Sequence, residues 1–137
     1  MDLERIATVE ITSESPEYPV ESALVPNGGS GWRAAQPGKQ TIRLVFDRPL
    51  SLERILLRFD EKEQQRTQEF VLRWLPEGQP STREIVRQQY TFSPPGTDQE
   101  DEDYRVKLSG VSALELEVIP DISGGSAQAS LTQMRLA

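Results

Sequence analysis

The chain contains no cysteine and no histidine. That excludes disulfides, thiol nucleophiles, Cys–His dyads, Ser–His–Asp triads and any zinc site built from Cys or His. Catalysis is left with carboxylates, Lys, Ser, Thr and Tyr, and no carboxylate pair stands out, so no catalytic residue is assigned. Positive charge is also scarce. Fifteen basic residues face 22 acidic ones, for a net charge of −7 over 137 residues. Nucleic-acid binding needs clustered cations to release counterions, and the basic residues here are scattered, so no nucleic-acid partner is expected. Twelve of the fifteen are Arg, whose forked donors suit carboxylates, internal ones included. No stretch approaches 18 apolar residues, and the acidic N-terminal segment (Asp2, Glu4, Glu10, Glu14) does not read as a signal peptide. Neither membrane insertion nor export is expected, and the compartment reads as cytoplasmic.

Helical periodicity is nearly missing as well. The best helical candidate is a turn near Ser15–Ala23, interrupted by Pro16 and Pro19. The dominant period is two. Ala7, Val9 and Ile11 share a face, as do Ile42, Leu44 and Phe46; Ile55, Leu57 and Phe59; Phe70, Leu72 and Trp74; Tyr104, Val106 and Leu108; and Leu114, Leu116 and Val118. Arg, Lys, Glu or Thr occupy most of the intervening positions. Residues 83–92 and 129–136 read as two more strands. Turn chemistry separates them: Pro26 to Gly31, Pro37-Gly38, Asp47 to Pro49, Pro76 to Pro80, Pro94 to Gly96 and Ile122 to Gly125. The pattern predicts an all-β, eight-stranded antiparallel sandwich over residues 1–137, as one domain. The predicted core holds Ile42, Leu44, Phe46, Ile55, Leu57, Phe59, Phe70, Leu72, Val106, Leu116 and Val118.

The order of elements carries a resemblance. Thr12-Ser13-Glu14-Ser15 ends the first strand and runs into a loop with Ala23. Trp32 follows, then the strand Ile42–Phe46, then Leu52-Glu53-Arg54-Ile55-Leu56-Leu57. Phe70–Trp74 precedes a Pro-Glu-Gly turn, and a Gly-rich loop joins Leu114–Ile119 to Ala129–Leu136. This arrangement resembles the discoidin family, also called coagulation-factor C-type domains, within the galactose-binding-like jelly rolls. The stretch Gly31-Trp32-Arg33-Ala34-Ala35 is also similar to the N-terminal domain of X-ray-repair scaffold proteins, which share that fold.

The resemblance implies a non-enzymatic module that binds sugars, phospholipid head groups or proteins through loops at one end of the sandwich. It also implies a structural calcium near the loop before the Trp. Here the family's Asp position is Val25, its Gly position Pro26, its Thr position Ser30, and its last-strand Glu is Gln133. Calcium needs carboxylate oxygens, so no metal and no cofactor is expected. A two-residue shift of the alignment would give Asn27 the ligand role.

For a small ligand, the candidate contacts come from loops 16–33 and 120–126, with strand 83–90 as a possible wall. Tyr18, Arg33, Arg87 and Asp121 offer a ring face, forked donors and acceptors. Polyol recognition uses that mixture, and internal salt bridging uses the same residues. Asp121 has a second reading as the start of an Asx turn beside Gly124-Gly125. The five carboxylates in 98–103 read as a solvated loop rather than a cation site. Trp32 and Trp74 read as core residues, and 27–31 as a flexible loop. The expected function is a carbohydrate-binding or small-ligand-binding module. The alternative is a protein-interaction module of a cytoplasmic complex.

Overall fold

The computed structural model describes residues 1–26 and 29–137. Asn27 and Gly28, and with them the shifted calcium ligand, lie outside the described residues. In chain order the elements are α1 (Leu3–Ile6), β1 (Ala7–Ile11), α2 (Glu21–Leu24), β2 (Trp32–Pro37), β3 (Gln40–Asp60), β4 (Arg66–Pro76), β5 (Arg83–Phe92), β6 (Gln99–Ile119), β7 (Gln128–Leu131) and β8 (Gln133–Leu136). A six-stranded antiparallel sheet runs β1-β3-β6-β4-β5, with β8 added on β3, and β2 and β7 form a separate ribbon. The fold is the expected antiparallel sandwich. The helical turn expected near Ser15–Ala23 is confined to Glu21–Leu24.

The strand boundaries differ from those read in the sequence. Residues 41–46 and 54–59 are one 21-residue strand, β3, and 104–108 and 114–118 are one 21-residue strand, β6. The two pair from Gln40↔Val118 to Asp60↔Gln99, with register shifts between Val45 and Arg54. Asp47 to Pro49 therefore bends a strand instead of ending it, because pairing with β6 resumes at Leu50↔Val111 beyond the corner. Gly110, with φ +65°, sits at the matching bend of β6. The sheet folds over at this end. Phe59 on the second half of β3 stacks on Phe70 of β4 with ring centroids 5.2 Å apart, and Tyr104 meets Phe70 edge-on at 6.4 Å.

The predicted core is buried except Val106, which is only partly covered. Trp32 is 1% exposed, and its indole N–H donates to the Ser13 carbonyl at 3.0 Å. Trp74 is half-buried, with the Arg83 guanidinium 5.8 Å from its ring. The outer face carries charge instead. Arg43 pairs with Glu10 and Glu115, Arg73 with Glu115 and Glu117, and Arg87 with Glu69 and Glu84.

The acidic run is not a loop. Residues 99–103 lie in β6, where alternation turns Asp101 and Asp103 outward and Glu100 inward. Pairing to β3 compensates the charge, since Arg54 grips Asp103 at 2.7 and 2.9 Å. Gly31 is no flexible tether either. Its φ is +80°, and a Cβ there would meet Thr132 Cα at 2.7 Å. Only glycine lets the chain enter β2 so close to the β7–β8 corner.

Phe70→Ala removes the ring that bridges both halves of the sandwich. It is expected to cost about 3–5 kcal/mol, measured by denaturant unfolding. An unchanged midpoint would place Phe70 outside the core.

Candidate functional site

β3 and β6 both fold over at one end, and parts of the connections after β1, β3 and β6 come together at the other. A polar cleft of about 280 Å³ opens among them. Tyr18, Ser30, Trp32 and Arg33 line it from the first connection and β2, and Ser126, Gln128, Ser130 and Thr132 from the β6–β7 connection and β7. The rest comes from Asp60 through Gln64 and from Arg66.

The structure brings two of the four predicted residues together. The Arg33 guanidinium stands 4.7 Å from the centre of the Tyr18 ring. Backbone bonds fix the pair: Arg33 N–H donates to the Tyr18 carbonyl at 3.1 Å, and Ser15 N–H to the Arg33 carbonyl at 2.8 Å. The Glu14 carboxylate accepts from Val20 N–H at 2.7 Å and closes the same loop. Arg33 is exposed and joins no ion pair among the described residues.

The other two predicted residues are elsewhere. Arg87 lies opposite Val71 on the outer face, held by Glu69 and Glu84. The face of β5 that Arg87 occupies points away from the core, so strand 83–90 forms no wall of the cleft. Asp121 does not line the cleft, and one carboxylate oxygen accepts from Ser123 N–H at 3.0 Å. That is the Asx turn. Its loop reaches the cleft through Ser126 instead.

The connection 61–65, which crosses from β3 to β4 past β6, was not singled out by the sequence reading. Its dense charge, Asp60-Glu61-Lys62-Glu63-Gln64 with no apolar residue between two strands, was the available signal. Arg66 anchors this connection with a side chain 2% exposed. It donates to Glu61 at 2.6 Å, to the Pro120 carbonyl at 2.7 Å and to Gln68 at 3.3 Å, and lies 4.9 Å from the Phe92 ring centre. Burial works to raise the Glu61 pKa, but the hydrogen bonds from Arg66 and from the Glu63 and Gln64 amides outweigh it and hold it below the usual range. Lys62 reaches Asp98 at 3.0 Å and Asp60 at 3.8 Å. Asp60 also accepts from Thr132 at 2.6 Å and from Arg58 at 3.2 Å. None of the cleft's serines is hydrogen-bonded to a carboxylate among the described residues, so none is set up as a nucleophile.

The family calcium does not fit. Loop 25–31 supplies no carboxylate among the described residues, and Gln133 lies on β8 opposite Arg58. No cluster of three or more Asp or Glu suited to a metal occurs among the described residues. A second hollow, of about 230 Å³, lies among Met1, Leu24, Leu56, Met134 and Leu136. It is largely apolar, and its Arg54 is already gripped by Asp103.

Behind the cleft, β6 turns Glu100 into the interior at 2% exposure. One oxygen accepts from Gln68 at 3.1 Å, and the other meets no donor. Burial first, then the neighbouring Glu102 carboxylate, pushes the Glu100 pKa up to about 9. The Tyr104 hydroxyl, also without a partner, is raised by burial.

No protein-family model matches the sequence, and comparison with curated proteins finds no match. Solved structures do match. The family 32 carbohydrate-binding module of NanJ from C. perfringens, solved in complex with galactose, superposes with a TM-score of 0.70. Identity is 11%, over 98% of this chain and 95% of that one. A pectin-binding carbohydrate-binding module gives 0.64 at 16% identity, over 96% and 89%. The fold is theirs. XRCC1, solved bound to the DNA polymerase β catalytic domain, gives 0.66 at 9% identity, over 97% and 95%.

Two outcomes test this description. A folded-state Glu100 pKa near 9 against an ordinary 4.5 gives stability that is full below about pH 4.5 and is lost as pH rises through about 9. Glu100→Gln, which keeps a donor without a charge, is expected to melt progressively above wild type from pH 5 to pH 9. A constant difference would mean Glu100 is ionised throughout. Melting curves in EDTA and in millimolar calcium are expected to coincide; a rise of many degrees with calcium would reveal a carboxylate site.

Proposed function

We propose that residues 1–137 form one non-catalytic carbohydrate-binding module of the discoidin-like type, with its ligand in the polar cleft. The observation that carries the reading is the set of free hydrogen-bonding groups there. The Gln64, Ser126 and Ser130 side chains and the Arg33 guanidinium make no side-chain hydrogen bond among the described residues. They stand beside the half-buried Tyr18 ring. Sugars present hydroxyl donors and acceptors around an apolar C–H face, and this mixture answers both. The walls are braced by the Glu61–Arg66 and Asp98–Lys62 pairs, so little ordering remains to oppose binding. The carbohydrate-binding modules among the structural neighbours support the same reading.

A second reading is a protein-interaction module, which the XRCC1 likeness favours. Arg87, gripped on an outer face, would belong to that surface and not to a sugar site.

Glycan-array binding followed by calorimetry distinguishes the two. Tyr18→Ala is expected to weaken binding of an array hit by about tenfold or more, equivalent to about 1.4 kcal/mol. Its melting temperature should stay near wild type. If binding survives Tyr18→Ala and falls with Arg87→Ala, the cleft is not the site.

A further inference from the structure

Three cations line the cleft, and two are already matched. Arg66 is buried against Glu61, and Lys62 lies between Asp60 and Asp98. Arg33 alone meets no carboxylate among the described residues. Three carboxylates line it too. Asp60 and Glu61 are met by cations, whereas the exposed Glu63 joins no ion pair among the described residues. Arg33 and Glu63 come from different elements, β2 and the 61–65 connection, and no ion pair joins them among the described residues. Among the described residues the cleft thus offers one free cation and one free anion.

Arg33 is also pre-positioned. A guanidinium laid over an aromatic ring keeps its in-plane N–H donors free, and those donors match the two oxygens of a carboxylate. The Tyr18 ring and the Arg33–Tyr18 backbone bond restrict the side chain before any ligand arrives. A neutral sugar leaves this charge unanswered. A phosphate would meet Glu63 and an otherwise acidic molecule with two negative charges. A hexuronate ring carries a single carboxylate among hydroxyls that can donate to Glu63.

We infer that the cleft selects a carboxylated sugar, with the uronate carboxylate on Arg33 and ring hydroxyls on Glu63. This rests on the carbohydrate reading above.

The test uses trigalacturonate, its methyl ester and β-1,4-galactotriose, titrated calorimetrically into the full chain at low and at high salt. The free acid is expected to bind about tenfold or more tighter than the ester at low salt, with the ratio shrinking as salt screens it. Arg33→Gln should bring that ratio close to one. Glu63→Gln should weaken acid and ester alike and leave the ratio intact. Both residues are exposed, so both variants should melt near wild type, which is checked in parallel. Equal affinity for acid and ester, or a ratio that survives Arg33→Gln, overturns the inference and leaves a neutral-sugar module standing. No binding to any of the three, together with an array blank for every glycan, overturns both.

Discussion

Everything in this molecule hangs on the pairing of β3 with β6. These two 21-residue strands pair on both sides of the corner, with shifts of register at the bend itself. Their shared bend lays one half of the sheet over the other and brings Phe59 onto Phe70. It also decides where binding can occur. One end carries the bends of β3 and β6 and the short 77–82 turn, and the opposite end carries the connections that line the cleft. A rigid two-layer scaffold with loops at one end is a general way to hold binding groups without disturbing a core.

Electrostatics then divides the arginines by purpose. Arg43, Arg73 and Arg87 tie the outer face together through exposed or half-exposed pairs, each worth little alone. Arg66 is different, because its charge is fully enclosed. Removing Glu61 would strand a buried cation, a change that costs about 3–5 kcal/mol in comparable cases. The 61–65 connection that walls the cleft is therefore held by a buried ion pair. Arg33, Arg48, Arg83, Arg105 and Arg135 join no ion pair among the described residues, and of these it is Arg33 that lines the polar cleft.

Period-two alternation made the layers readable, because a residue's face in a strand depends only on parity. Phe70 could be placed inside for that reason, and Trp32 through its place in the resemblance. Corners were harder. Asp47 to Pro49 has the composition of a turn whether the strand stops or bends, and only the partner across the sheet decides which. The acidic run was misread for a related reason. Five adjacent carboxylates look solvated until Arg54 and Gln68 arrive from distant positions to meet them. Of the site, Tyr18 and Arg33 were legible from their loop. Arg87 was not, because alternation says that a side chain faces away from its neighbours but not which layer lies behind it. Lys62 and Arg66 went unnoticed since their partners, Asp98 and the Pro120 carbonyl, are far along the chain.

The position of β4 and β5 between β3 and β6 in the chain has a kinetic consequence. The β3–β6 ladder joins residues as far apart as Gln40 and Val118, and closing so long a loop is entropically slow. The β4–β5 hairpin needs only the short connection between Pro76 and Arg83, so it forms from local contacts. Once formed, it shortens the effective separation of its flanking strands and offers β6 an edge along β4. The order of assembly that follows is hairpin first, β6 onto β4, then β3 onto β6, with β1 and β8 added last. A topology so rich in distant pairings belongs with those that fold on the order of milliseconds to seconds. Until β3 arrives, the β6 residues that will face it remain an open, charged edge, and the carboxylates from Asp101 to Asp103 keep that edge from recruiting a second chain.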